Sequence, residues 1–237
     1  MSAARAEWMI ALRRRRLLAL DVLVPLALVA PLALSQAPPA HAAAAYTALF
    51  VLFGVFGSAI PLVRDGQAGI LTRWKLAGLA PGRLLSERLA AQSTLDVLES
   101  LPAALLVLAL GSGSHPGALR LAVSLAFGLL VANAVGAWAA AAARSLAESA
   151  LFASVGSLLL LHAAGVFRTP APGSLAALVE SLSPFRVLHE TFLQAAGGAT
   201  AASSGWGPAL AVGAGLVGLT VLASGALVES LARSREG

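Results

Sequence analysis

The sequence predicts an all-α, polytopic membrane protein with six transmembrane helices, and three observations carry that prediction. First, six apolar stretches, Leu17–Leu34, Tyr46–Val63, Leu89–Gly111, Leu119–Ala143, Leu151–Val166 and Pro208–Val228, occupy most of the 237 residues. Each bilayer crossing needs about 20 predominantly apolar residues of helix. Second, the chain is 58% hydrophobic and 11% charged, with mean hydropathy +0.84, which leaves too little polar surface to cover a soluble bundle. Third, thirteen of the sixteen Lys and Arg residues fall on one side of the predicted spans. Short connections leave no room for a soluble domain, so residues 1–237 read as a single transmembrane domain. The positive charge flanks spans, where anionic headgroups attract it, and so does not point to nucleic acid. The chain has no cysteine, which excludes disulfide and thiol chemistry.

The charge asymmetry predicts orientation. Arg5, Arg13 to Arg16, Arg64, Arg73, Lys75, Arg83, Arg88, Arg144, Arg233 and Arg235 lie on one side; Arg120, Arg168 and Arg186 lie on the other. Cytoplasmic loops carry the excess, so both termini are expected in the cytoplasm of a cell whose plasma membrane the chain spans. Within residues 1–16, Trp8, Met9, Ala11 and Leu12 can share one side of a short helix with arginines facing away. That pattern suits an interfacial helix as well as a frayed basic anchor. The first apolar run, followed by Ala40-His41-Ala42, also resembles a secretory signal. A signal core is about 7–15 residues, whereas this run is longer and contains Asp21, Pro25 and Pro31, which favours a retained span.

The connection over residues 64–88 is predicted to be cytoplasmic. Ile70, Leu71, Trp74 and Ala77 recur at helical spacing, Arg73 and Lys75 lie elsewhere, and Gly78 with Pro81-Gly82 ends the pattern. The Ile70–Leu79 helix either lies on the membrane surface or docks into a groove on a soluble partner. In span three, Gln92, Asp96 and Glu99 share one face. Carboxylates at membrane depth face a bundle interior, a partner or water, so these three either line a substrate path or sit solvated near the cytoplasmic interface. In span four, Gly128, Ala132, Gly136 and Ala140 recur every four residues, a close-packing stripe for a helix of the same subunit or of a second one. Asn133 beside it can hydrogen-bond to a neighbour.

Residues 168–207 form an external connection far longer than usual. Ser174–Leu182 and Pro184–Gln194 are helical in pattern but too short to span, and they meet at Ser183-Pro184. They predict either a re-entrant lid, with Leu178, Ser183, Pro184, Phe185 and Leu188 as gate residues, or a hairpin lying on the surface. Residues 195–207, with Gly197-Gly198 and Ser203-Ser204, read as a return loop.

Two features are set aside. Gly213-x-Gly215-x-x-Gly218 matches a dinucleotide fingerprint, but it lies inside span six with no strand before it. His41, His115, His162 and His189 lack metal-ligand spacing.

The stretch Asp65-Gly66-x-x-x-x-Leu71, followed by a helix, Pro81 and a basic entry into span three, resembles the membrane subunits of type-2 ABC exporters. So does Leu158–Phe167 leading into Pro170-x-Pro172, a short helix and Leu182-Ser183-Pro184-Phe185. Arg64-Asp65 stands where many relatives carry Glu-Arg. The resemblance covers span count, order and orientation along nearly the whole chain. It implies a homodimer or heterodimer of such subunits with two copies of a separate ABC ATPase. Ile70, Leu71, Arg73, Trp74, Lys75 and Ala77 would dock on the ATPase, and a lipid-like, glycan or hydrophobic drug-like substrate would move outward. ATP and magnesium would belong to the ATPase, since no Gly-x-x-x-x-Gly-Lys-Ser/Thr occurs in this chain. The chain itself is then no enzyme and holds no cofactor. A haem-exporter subunit of cytochrome c maturation is the nearest alternative. A polytopic membrane enzyme using Asp96 and Glu99, or a scaffold without transport, are alternatives of other classes.

Overall fold

The computed structural model describes residues 2–35, 37–111, 117–168, 170–171, 173–198 and 205–233, and every regular element within them is helical. His115, Pro172, Ser203-Ser204 and Arg235 lie outside the described residues. The helices are α1 (Ala3–Arg13), α2 (Arg15–Leu34), α3 (Pro39–Gln67), α4 (Ile70–Leu76), α5 (Pro81–Leu110), α6 (Ala118–Ala142), α7 (Leu146–Ala163), α8 (Leu175–Leu182), α9 (Phe185–Ala195), α10 (Gly207–Leu222) and α11 (Ser224–Arg233). Among the described residues, α2, α3, α5, α6 and α7 are long and apolar enough to cross a bilayer.

Span six departs from expectation. It is not one rod but α10 and α11, bent by 58° at Ala223. The change of pattern explains the bend. α10 is apolar nearly all round. From Ser224 onward the chain turns amphipathic, burying Leu227, Val228 and Leu231 and exposing Glu229. α11 therefore folds under the bundle. There Leu231 meets Gly66 so closely that a Cβ on the glycine would lie 2.6 Å from the Leu231 carbonyl oxygen.

The centre of the bundle is the α3–α6 pair, with α7 and α9 against both, while α2 packs mainly on α5. Lipid tails are as apolar as leucine, so close backbone approach and polar contacts hold such helices together. The every-fourth-residue stripe of α6 does this within the subunit. A Cβ on Gly136 would lie 2.3 Å from the Val55 carbonyl oxygen, one on Gly54 would lie 2.8 Å from the Ala132 Cβ, and Gly128 faces Leu188 of α9. Ala140 is buried in the cluster of Leu62, Leu85 and Leu231 at one end of the bundle. Hydroxyl and indole groups add ties: Ser149 Oγ donates to the Ala59 carbonyl (3.3 Å), Ser230 Oγ to the Ala141 carbonyl (2.6 Å) and Trp138 Nε1 to Thr220 Oγ1 (3.0 Å).

At the Arg-rich end, α1 is a formed helix held to α5. The Ala3 N–H donates to Glu87 Oε2 at 2.7 Å, and Glu7 pairs with Arg88 at 3.3 Å. Its Ile10 and Leu12 remain exposed, as a helix at a membrane surface requires. At the other end, Glu190 joins α9 to the start of α10. It accepts from Arg186 Nε (2.6 Å) and from Trp206 Nε1 (3.1 Å), and the Arg120 guanidinium lies 4.4 Å from the Trp206 ring centre.

Candidate functional site

The three polar residues of span three are brought together on α5 and pointed inward. Asp96 is buried and accepts from Gln92 Nε2 at 2.8 Å, one turn earlier on the same helix, and from Asn133 Nδ2 of α6 at 2.6 Å. Asn133 in turn accepts from Ser58 of α3 and donates to the Leu129 carbonyl at 2.9 Å. One carboxylate thus ties the three central helices through a network in which each member has partners, the condition under which buried polar groups stabilise rather than cost. Gly57 makes room for it: a Cβ there would stand 3.3 Å from Asp96 Oδ1. The expectation that these carboxylates sit solvated at the interface fails for Asp96. Glu99, one turn further on, is half-buried and has no hydrogen bond or ion pair among the described residues.

These residues line a half-open cavity of about 360 Å³ between α1, α2, α3 and α5. Its walls include Leu17, Leu18, Phe53, Phe56 and Leu95, and its charged groups are Glu7, Arg14, Asp21, Arg64, Asp96 and Glu99. Asp21 of α2 is near enough to both Asp96 and Glu99 for mutual repulsion. Sequence reasoning weighed Asp21 only against a signal peptide and missed its place in this site. The available sign was an acidic residue in the first third of an apolar run, which is expensive unless it meets a cavity.

A second cavity, about 260 Å³, adjoins it between α1, α4 and the first turns of α5, and it shares Glu7, Ile10, Arg14 and Arg64 with the first. Its floor is the buried Arg88, which pairs with Glu7 and with Asp65, while Arg64 touches Asp65 through Nε at 3.3 Å. The Asp65–Arg88 pair therefore braces α3 to α5, with Arg64 beside it on α3. This long-range pairing was not legible from spacing along the chain.

The helix expected at Ile70–Leu79 ends earlier, at Leu76. Gly69 (φ 68°) opens it and Gly78 (φ 83°) closes it, both in the left-handed region that favours glycine. Leu71 is buried, and Trp74 packs half-buried on the cluster of Leu62, Leu85 and Leu231. Arg73, Lys75, Leu76 and Ala77 are exposed, Leu76 at 83%, and Lys75 lies 3.8 Å from Glu229 of α11. Of the residues named for docking, Leu71 and Trp74 thus fasten α4 to its own bundle, while Arg73, Lys75 and Ala77, joined by Leu76, face outward.

Of the expected gate residues, Ser183 and Pro184 form the break between α8 and α9, and Phe185 and Leu188 are buried. Leu178 is 56% exposed. Among the described residues no group of three or more His, Asp or Glu side chains is placed to hold a metal ion. In comparison with known proteins, no family model and no curated sequence matches the chain.

Proposed function

We propose that this chain is the membrane-spanning permease subunit of an ATP-driven exporter of the ABC-2 type, working as a dimer with two copies of a separate ABC ATPase in the plasma membrane. In this reading α1, α4 and both termini lie in the cytoplasm, hydrolysis of ATP with magnesium occurs in the partner, and a hydrophobic or lipid-like substrate moves outward.

The observation that carries the reading is α4. It is a two-turn helix held between two left-handed glycines, fastened to the bundle by Leu71 and Trp74, and bare on the side of Arg73, Leu76 and Ala77. A helix attached in this way moves with the end of α3 and with α11 when a partner pushes on its outer side. The cavity lined by Gln92, Asp96 and Glu99 begins at the same end of the bundle, so motion of α4 is transmitted to its walls. The docking set then divides. Arg73, Lys75, Leu76 and Ala77 meet the ATPase, while Ile70, Leu71 and Trp74 transmit.

The test is affinity purification of the tagged chain from its native membrane. Co-purifying ATP hydrolysis is expected, and it should be lost in Leu76→Glu while Leu119→Glu, exposed in the first turn of α6 beside Arg120, retains it. Absence of ATP hydrolysis with the unaltered chain, or its retention in Leu76→Glu, would overturn the assignment.

A further inference from the structure

The larger cavity holds charges of both signs that do not pair with each other. Arg14 stands at its mouth as the cap residue between α1 and α2, exposed and without an ion pair among the described residues. Arg64 beside it reaches Asp65 through Nε only and keeps 53% of its side chain exposed. Further along the helices, the exposed Asp21 and the half-buried Glu99 are equally without ion partners among the described residues, and Asp96 is already satisfied by two amides. Seven residues of helix separate Arg14 from Asp21, roughly 10 Å of rise along the axis.

A cavity that only needed to be stable would let these groups neutralise one another, because unpaired charge at membrane depth is costly. Holding them apart places guanidinium groups at one end of the cavity and acidic groups further along it, between apolar walls. An anion alone is repelled by the carboxylates, and a cation alone leaves the arginines unused. A molecule carrying an anionic phosphate at one end and a cationic nitrogen at the other satisfies both. Guanidinium groups favour phosphate through paired N–H donors, and Phe53 and Phe56 beside the carboxylates suit a cationic nitrogen. We propose that this cavity binds a zwitterionic amphiphile, a phosphate ester bearing an amine on a short spacer, entering from the leaflet at the Arg-rich end. As the substrate class of the exporter, this rests on the function proposed above; as a binding site, it rests on the cavity alone.

The experiment measures binding to the full chain in nanodiscs of uncharged detergent-like lipid, with fluorescent phosphatidylethanolamine as the probe. The competitors are its N-acetylated form (phosphate only), phosphatidylglycerol and a long-chain alkylamine. Unlabelled phosphatidylethanolamine should displace the probe at least about tenfold better than each of these competitors, the scale of one lost charged hydrogen bond. Asp21→Asn with Glu99→Gln should abolish its advantage over the N-acetylated lipid, and Arg14→Gln with Arg64→Gln its advantage over the alkylamine. Equal binding of phosphatidylglycerol would overturn the inference in favour of a basic surface, and equal binding of the alkylamine in favour of a simple cation site. No saturable binding would overturn it outright. Selective binding without ATPase stimulation would keep the site and remove the exporter.

Discussion

Helices α8 and α9 flank the same Ser183-Pro184 turn, and each arranges its apolar residues along one side. α9 buries Phe185, Val187, Leu188, Thr191 and Phe192, with the Phe192 ring stacked 5.3 Å from Phe50 and tilted 5.6 Å from Tyr46. α8 buries none of its residues: Leu175 is 76% exposed and Leu178 is 56% exposed. Amphipathic spacing decides which side of a helix is apolar; it does not decide whether anything in the chain covers that side. α9 found a socket because Gly128 leaves a space that Leu188 fills and α3 presents two aromatic rings. α8 is held instead by its Ser174 cap, whose hydroxyl accepts from the Ala177 N–H at 3.2 Å, and by light contact with α7 and α10. A lid built of both helices is therefore anchored on one side only.

The contrast can be broken most directly in the sockets. Phe192→Ala or Leu188→Ala should cost about 2–5 kcal/mol by leaving a cavity, read as a lowered midpoint of denaturant or thermal unfolding in detergent. A loss no greater than that of Leu178→Ala would mean that α9 is not docked as described. Next in size is a pair of glycines. Gly136→Val drives a side chain into the Val55 carbonyl and should cost about 1–3 kcal/mol. Gly215 of α10 has open space around it, so Gly215→Val should be close to neutral in the isolated subunit. A large loss there would indicate that a second subunit packs on α10.

A smaller effect comes from His189 on α9. Burial lowers its pKa from the usual 6.5, against the opposing influences of the Ala43 backbone and Glu190, and Thr47 Oγ1 lies 3.3 Å from Nδ1. The unfolded chain then binds the proton more readily than the folded one. Stability is full above about pH 6.5 and falls as the pH drops through that value toward the lowered one. His189→Gln should flatten this dependence in pH-resolved unfolding; an unchanged slope would dismiss the imidazole as its source. The smallest expected effect is at Leu178, where Leu178→Ala should change stability by less than about 0.5 kcal/mol. Because the chain has no native cysteine, Leu178→Cys and Leu188→Cys can be compared with a thiol reagent in detergent. Leu178→Cys should react readily and Leu188→Cys slowly, and equal rates would erase the difference between the two helices.

Helix positions were legible from the amino-acid sequence wherever hydropathy was sustained, and the Ser183-Pro184 break was legible because proline cannot continue a helix begun before it. The face shared by Gln92, Asp96 and Glu99 followed from helical spacing alone. The bend at Ala223 was not anticipated, since the hydropathy of Pro208–Val228 runs on through it. Its cause is a side-chain pattern that becomes amphipathic only beyond the bend. The α4 helix was read as amphipathic, lying on the membrane surface or docking on a partner; Leu71 and Trp74 turn toward the chain's own bundle, a distinction that spacing alone does not make.

Sequence by itself determined that this chain is helical, that several of its segments are long and apolar enough to cross a bilayer, and where most of them begin and end. Those properties depend on local composition and on the 3.6-residue period, which act within a few turns of chain. Tertiary structure alone decided which unpaired charges share a cavity, that Arg88 braces Glu7 and Asp65, and that the α6 stripe packs on α3 and α9 rather than on a second subunit. These depend on contacts between residues far apart in the chain, and the physical reason is geometric. A glycine or a carboxylate has the same local preference whatever it faces, and only the packing of helices against one another selects its neighbour.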